Sequence, residues 1–307
     1  MRLCVLDLDG SVAAQPPLLA RVAAGMACHA DLRDLAPRLR LAASRSAIRA
    51  FLERLEQVMD SGPGPEVIFY GSGDFHHLTA AFLLRRKMPV TVIHLDNHPD
   101  WVTFPATFNC GAWVNRALEN ANVAKVITIG PCSDDLAWPQ LKGANLAAIA
   151  ARRLEVYPWR HPPSRLVPAL PRPKGLPAVG HRLHWHTVGG AAWTGFVADL
   201  SRRIPTRDVW ITIDKDVFAP DEVVTNWDQG EMRLAHAMAL VREVAERHAI
   251  IGVDVCGDYS PPRLGDPWRR VLAFLDRSCR PLVTQPHEAL NADANAQLLR
   301  LFDDVLA

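Results

Sequence analysis

The chain reads as an α/β protein of three layers, α/β/α, with a mostly parallel sheet covered by helices on both faces. Three observations predict this. Short apolar runs recur over residues 67–70, 89–95, 123–129, 209–213 and 250–255, and near-continuous runs of that length are what strands buried on both faces require. Between them lie segments whose apolar residues return every three or four positions, as along Ile48, Phe51, Leu52, Leu55 and Val58. That is the mark of an amphipathic helix, and strands alternating with helices imply right-handed crossovers and parallel pairing. Three of the runs also stop abruptly in acidic residues and histidines, at the strand end where open α/β sheets carry their sites.

In chain order, residues 2–7 form the first strand, followed by Leu8-Asp9-Gly10-Ser11. Residues 16–60 read as helical, and Ser61-Gly62-Pro63-Gly64-Pro65 ends the helix. The strand at 67–70 leads to the turn carrying His76, then to a helix near 78–86 and the strand 89–95. A loop with Asn109-Cys110-Gly111 and a helix through Leu118 precede the strand 123–129, which Gly130-Pro131 closes. Residues 133–190 break this rhythm with seven prolines between 158 and 177 and with Trp159, His184, Trp185 and His186. A long irregular stretch inside a compact domain is usually a functional loop or an insert. Short pieces such as Leu154-Glu155-Val156-Tyr157 favour an ordered excursion beside the site, while His184 and His186 read as solvated. Regularity returns with a helix at 191–203, the strand 209–214, a loop to Gly230, a helix at 231–248 and the strand 250–255. A helix at 267–277, a short strand at 282–284 and a helix from 293 close the chain. There is no internal repeat and no composition break, so residues 1–307 are taken as a single domain.

Composition narrows the class. Hydrophobic residues make up 49% of the 307 and charged residues 22%, with a net charge of +1; this balance is ordinary for a globular enzyme and gives no field for nucleic acid. No apolar run approaches the ~20 residues of a membrane span, and the first residues carry no signal-peptide pattern. The expectation is a cytoplasmic protein without membrane or nucleic-acid partners, with a homo-oligomer left open. Six scattered cysteines (4, 28, 110, 132, 256 and 279) form no Cys-x-x-Cys pair, so reduced thiols are expected.

The chemistry is concentrated at Ile93-His94-Leu95-Asp96-Asn97-His98-Pro99-Asp100-Trp101. Alternate residues of an extended segment point the same way, which lets Asp96, His98 and Asp100 converge. Two carboxylates and an imidazole so close repel and lose hydration unless a cation joins them; on its own the segment reads equally well as a polar surface loop. The balance tips because the strand 209–213 ends in Asp214-Lys215-Asp216, and the strand 67–70 in Gly71-Ser72-Gly73-Asp74-Phe75-His76-His77. Three strands delivering metal-ligand residue types at one end argue for a shared ion site.

In order and spacing, these segments resemble the signatures of the ureohydrolases. This family of arginases and agmatinases shares its fold with the deacetylase-like enzymes. Its patterns Gly-Gly-Asp-His, Asp-Ala-His-x-Asp and Ser-x-Asp-x-Asp-x-x-Asp-Pro appear here as Ser72-Gly73-Asp74-Phe75-His76, Asp96-Asn97-His98-Pro99-Asp100 and Thr212-Ile213-Asp214-Lys215-Asp216-Val217-Phe218-Ala219-Pro220. The resemblance implies an arginase/deacetylase-like fold and two metal ions. One would be held by His76, Asp96, Asp100 and Asp214, the other by Asp96, His98, Asp214 and Asp216. Four carboxylates match the charge of two divalent ions. An unneutralised pair ~4 Å apart would repel by about 4 kcal/mol at an effective dielectric of 20. A set rich in oxygen with two imidazoles favours Mn²⁺, with Fe²⁺, Co²⁺ or Zn²⁺ as alternatives. The implied reaction is hydrolysis of a guanidino group, releasing urea and an amine.

Several positions depart from the pattern. Phe75 intervenes before His76, so a one-residue bulge is expected to deliver His76, with His77 in reserve. The places that clamp and serve free arginine in the family fall on Val102, Asn109 and Trp113, which become candidate substrate contacts. The family's guanidinium-binding glutamate falls near Gly257, leaving Asp258, or Asp254, as the expected catalytic and substrate-binding carboxylate. Ala219 replaces the last acid of the third pattern. Loss of the amino-acid clamp points toward the peptide arginases, with an arginine-containing precursor peptide as substrate, ornithine as product and the 133–190 excursion as a peptide-facing wall. The competing readings are a small-molecule ureohydrolase, a deacetylase-like amide hydrolase with one zinc on Asp96, His98 and Asp214, and a phosphatase built on Asp7 and Asp9.

Overall fold

The computed structural model describes residues 1–59, 62–103, 108–262, 264, 266–275, 280–281, 283 and 287–307. Its central sheet has eight strands: β1 (Arg2–Asp7), β2 (Ala27–Asp31), β3 (Glu66–Tyr70), β4 (Val90–Leu95), β5 (Val123–Ile129), β6 (Leu154–Tyr157), β7 (Asp208–Asp214) and β8 (Ala249–Cys256). They lie in the order β2-β1-β3-β8-β7-β4-β5-β6, and every pairing is parallel.

Two cores explain why the strand sequences are apolar at nearly every position. Along β3, Val67 and Phe69 face one layer and Ile68 and Tyr70 the other, as the two-residue period of a strand demands. The first layer comprises the helices Trp193–Arg203, Leu234–Arg247 and Glu288–Val305, which bury Leu200, Leu240, Val244, Leu298 and Phe302 against the sheet. The second comprises Arg45–Val58, Leu78–Leu84 and Trp113–Glu119, burying Phe51, Leu55, Phe82 and Val114. Each such side chain contributes about 1.5–3 kcal/mol. The helix Arg45–Val58 starts where Ser44 Oγ accepts from the Ala47 amide at 3.2 Å, a cap worth about 1 kcal/mol.

The reading of 16–60 as helical is corrected. The segment holds a helix at Pro16–Ala23, the edge strand β2, a helical turn at Ala36–Leu39 and the helix Arg45–Val58. Ala27-Cys28-His29-Ala30-Asp31 has little strand propensity, and pairing with β1 overrides it. The expectation of reduced thiols is likewise corrected for one pair. Cys4 and Cys28 are register partners across β1 and β2 and are joined as a disulfide, with Cα atoms 4.6 Å apart. The expected strand at 282–284, Cys279 and the end of the helix expected at 267–277 lie outside the described residues, apart from Val283.

The excursion contributes β6 as an edge strand, followed by a three-stranded antiparallel sheet of two-residue strands at Ser164–Arg165, Ala178–Val179 and Arg182–Leu183. Leu146, Leu166 and Leu183 form a small core of their own. Trp185 ties the excursion to the main domain: its ring lies 5.9 Å from that of buried Trp101, directly after Asp100, and its Nε1 donates to Ser164 Oγ at 2.6 Å. Among the described residues no helix is long and apolar enough to cross a membrane.

Candidate metal centre

Strand order gathers the site. β3, β8, β7 and β4 are successive neighbours, so the residues at or just beyond their carboxyl ends meet over the middle of the sheet. Asp96 and Asp214 follow almost directly from paired Leu95 and Ile213. His76 arrives from β3 through a 3₁₀ turn over Gly73–Phe75, in which the His76 amide donates to Gly73 O at 3.0 Å. This turn, rather than the expected bulge, absorbs Phe75: its side chain is buried beneath the Arg40 guanidinium, 5.1 Å from the ring centroid.

All six expected ligands converge, each of the carboxylates and His76 at most 7% exposed. His76 Nδ1 lies 3.0 Å from Asp96 Oδ2, 3.3 Å from Asp100 Oδ2 and 3.5 Å from Asp214 Oδ2. His98 Nδ1 lies 3.0 Å from Asp216 Oδ2 and 3.5 Å from Asp96 Oδ1. Asp96 thus reaches both histidines, one oxygen to each. Asp100 holds φ at 45°, a left-handed conformation that aspartate tolerates better than most residues. Gly73 and Gly257 flank Asp214 so closely that a Cβ on either would run into its carboxylate, and Gly257 also sits at φ 99°.

The other ring nitrogens are held by the protein. His98 Nε2 donates to Asp228 Oδ1 at 3.0 Å. His76 Nε2 lies 2.9 Å from Thr212 Oγ1, whose proton goes to Asp254 Oδ1 at 2.8 Å. The hydroxyl oxygen therefore accepts from the His76 Nε2–H, which leaves Nδ1, facing three carboxylates, as the nitrogen where a proton or an ion can sit. A carboxylate behind a ligating histidine is the usual way of fixing tautomer and ring orientation. Trp113 Nε1 donates to Asp100 Oδ2 at 2.6 Å. His94, two residues before Asp96 on the same face, lies with Nε2 2.8 Å from Asp96 Oδ2.

Electrostatics shows what the cluster lacks by itself. Burial raises Asp214 and Asp216 and, with the neighbouring Asp96, lifts Asp100 to about 8. Burial alone would lower His76 and His98, but Asp100, Asp96 and Asp214 beside one, and Asp216, Asp228 and Asp96 beside the other, hold both well above 6.5. Burial would raise Asp96 as well, yet three histidines keep it well below 3.8. The group collects protons where positive charge is needed. His76 Nδ1 is buried with no hydrogen-bond partner among the described residues, as fits a lone pair that serves an ion. The residues present therefore fit divalent ions held by His76, Asp96, Asp100 and Asp214 on one side and by Asp96, His98, Asp214 and Asp216 on the other.

The remaining candidates are placed differently. His77 is buried beside the cluster but not in it, and burial lowers it to about 3. Asp258 is 1% exposed and ion-paired with buried Lys215, Nζ to Oδ1 at 2.5 Å, and it accepts from Gln15 Nε2 at 2.7 Å. Its charge is thus engaged inside the protein. Asp254 accepts from Tyr70, Thr79, Thr212 and Trp210 beneath His76. Trp113 is fully buried against His76 and His94, and Asn109 pairs with Ala42 in a two-residue ladder. Asp7 accepts from the Gly10 amide, and Asp9 from the Ser72 amide and the Arg40 guanidinium; both tie down the turn after β1. Sequence reasoning missed Asp228, Thr212 and His94. Only His94 carried a signal, its i−2 spacing from Asp96.

No family model matches the chain. A 210-residue stretch, 68% of this chain, is 23% identical to an uncharacterized protein of Thermotoga maritima; it spans 64% of that relative, less than two thirds of its length. Solved structures with the same fold include the agmatine ureohydrolase of Thermoplasma volcanium (13% identity, TM-score 0.54, covering 98% of this chain and 88% of that one). They also include the arginase from Medicago truncatula (12%, 0.56, 98% and 85%) and the arginase from Bacillus caldovelox (15%, 0.54, 98% of each). The chain has the three-layer arginase-like fold.

Proposed function

We propose that this protein is a metal-dependent hydrolase of C–N bonds that cleaves a guanidino group, and that its substrate is an arginine side chain within a peptide, converted to ornithine with release of urea. The observation that supports it most is the convergence of His76, Asp96, His98, Asp100, Asp214 and Asp216 at the carboxyl ends of adjacent strands. Divalent ions held by such a set would supply an activated water and polarise an electrophilic carbon. Manganese suits the His98–Asp216 side, where every donor is oxygen or imidazole.

The chain's own residues set the geometry. Asp228 and the Thr212–Asp254 pair fix the two imidazoles, and Trp113 fixes Asp100. Asp228, with 40% of its side chain exposed, is a carboxylate beside His98 open to a cationic guanidinium; Asp258 is ion-paired with Lys215. Peptide recognition is supported by the resemblance, in which Val102, Asn109 and Trp113 take the places of the free-arginine enzymes' head-group clamps and proton shuttle, and by the Trp185–Trp101 contact that sets the excursion beside the site loop. A single-zinc amide hydrolase would leave His76, Asp100 and Asp216 without a role.

The test is mass spectrometry of arginine-containing peptides, free arginine and agmatine incubated with Mn²⁺-loaded protein. Peptides should lose the CN₂H₂ that leaves in urea, faster than the small molecules react. If agmatine or free arginine outcompetes every peptide, the peptide clause is wrong. One zinc per chain and no urea from any substrate would end the guanidino reading.

A further inference from the structure

We infer that Cys256 is a thiolate ligand on the His76 side of the centre, so that the two ions are chemically unequal: a thiophilic ion (Zn²⁺, Fe²⁺ or Co²⁺) beside Cys256 and a harder Mn²⁺ beside His98. This rests on the binuclear reading above and refines which metals it takes. β8 lies between β3 and β7 in the sheet, so its last residue stands between the strands that deliver His76 and Asp214. Cys256 is the register partner of Asp214, and its Sγ lies 3.4 Å from Asp214 Oδ2. The ligand atoms of His76, Asp214 and Cys256 all fall within 4.8 Å of one another, with all three residues buried. Donors on one ion stand ~3.3–3.8 Å apart at tetrahedral angles, given metal–ligand bonds of ~2.0–2.3 Å, and the Sγ–Oδ2 separation of 3.4 Å falls in that range.

A buried cysteine alone is a small apolar side chain. What makes this one a ligand is its company: His76 Nδ1, buried and without a hydrogen bond of good geometry among the described residues, lies 3.5 Å from the same Asp214 Oδ2 that the sulfur approaches. The two sides of the centre also differ in donor type. The His98 side gathers Asp96 and Asp216 around one imidazole, a hard set; the His76 side adds sulfur. Thiolate donors select zinc, iron and cobalt over manganese, while carboxylate and imidazole accept manganese. On binding, the thiol proton leaves to solvent and the sulfur lone pair takes its place on the ion.

The experiment loads metal-free protein with cobalt and follows its absorption alongside metal content. Two cobalt ions per chain with a strong thiolate-to-cobalt charge-transfer band in the near ultraviolet is the expected result. Cys256→Ser should keep two ions and lose the band, which separates Cys256 from Cys110, Cys132 and Cys279. In competition with equimolar zinc and manganese, the wild type should retain one of each; Cys256→Ser should lose that selectivity by about tenfold or more, the scale on which even a partner behind a ligand acts. Cadmium NMR of the doubly loaded wild type needs no variant and should show one resonance displaced strongly downfield by sulfur. Two ions bound with no charge-transfer band, or two cadmium resonances both in the oxygen-and-nitrogen range, would overturn the thiolate and leave the binuclear site standing. Failure to bind any ion would overturn both.

Discussion

At the scale of single residues, the two imidazoles behave as the ends of short relays. His98 leans on Asp228, and His76 on Thr212 and Asp254. Asp228→Asn weakens the acceptor that fixes the His98 tautomer, so metal affinity on that side should fall about 10–100-fold, with the His76 side little changed; calorimetric titration of the variant with Mn²⁺ reads this directly, and two unaltered sites would refute the relay. Asp258 calls for a different expectation. Removing it leaves the Lys215 ammonium fully buried and flanked by the ligands Asp214 and Asp216, with Asn295 Oδ1 at 2.9 Å as its remaining partner among the described residues. Breaking a buried ion pair from one side costs about 3–5 kcal/mol, so Asp258→Ala should lower stability by that order in urea denaturation. Lys215→Met added to it should restore much of the loss. If Asp258→Ala is as stable as wild type and only raises KM for a guanidino substrate, Asp258 is a substrate contact after all.

At the scale of elements, the strands and the six ligands were legible because their signals are local. A strand buried on both faces must be apolar at every position, and residues after its last apolar side chain must be there for another reason. Asp96, His98, Asp100, Asp214 and Asp216 lie within five residues of a strand end, and His76 within six. What was not legible depends on elements far apart in sequence. β2 is a strand only because β1 lies beside it, and Cys256 joins the site only because β8 is inserted between β3 and β7. Asp258 looks available in the sequence, and only the pairing of β7 with β8 brings Lys215 within reach of it. The turn after β8 shows how tightly such an element is set. Gly257 combines φ 99° with the Asp214 carboxylate packed where a Cβ would go. Gly257→Ala should therefore destabilise by more than about 1 kcal/mol, where the same change at a compatible backbone position would stabilise, and should displace Asp214. Thermal unfolding with and without Mn²⁺ should show a lower Tm and a smaller rise on adding metal; an unchanged metal response would mean that Asp214 does not need that turn.

For the whole molecule, the centre couples metal, protons and stability, and the sign of that coupling can be worked out. Without metal, Asp100 carries a pKa raised from 3.8 to about 8, and Asp214 and Asp216 are raised too, through burial first and neighbouring carboxylates second. Their unfolded values stay near 3.9, so between these limits the folded chain holds more protons than the unfolded one. Stability then falls as pH rises. The contribution is fully present below about pH 4 and is lost as pH passes through about 8 for Asp100. His76 and His98, also raised, add to the same slope above about 6.5. Asp96 is depressed, so its contribution is lost only in acid, as pH falls through its folded value, and adds no slope in this window. Metal ions replace these protons, so their affinity increases with pH, and the stabilisation RT ln(1 + [L]/Kd) at fixed metal concentration increases with it. Buried His77 and His94, lowered to about 3 and about 4, oppose this slope below about 6.5, so the Tm of the metal-free protein should decline from about pH 7 to about pH 8.5, while the gain in Tm on adding Mn²⁺ grows over the same range. Asp100→Asn should flatten the metal-free decline by removing its best-defined contributor. A metal-free Tm that rises steadily across the window would mean that the cluster carboxylates are already ionised and paired, and the proton-for-metal exchange would have to be abandoned.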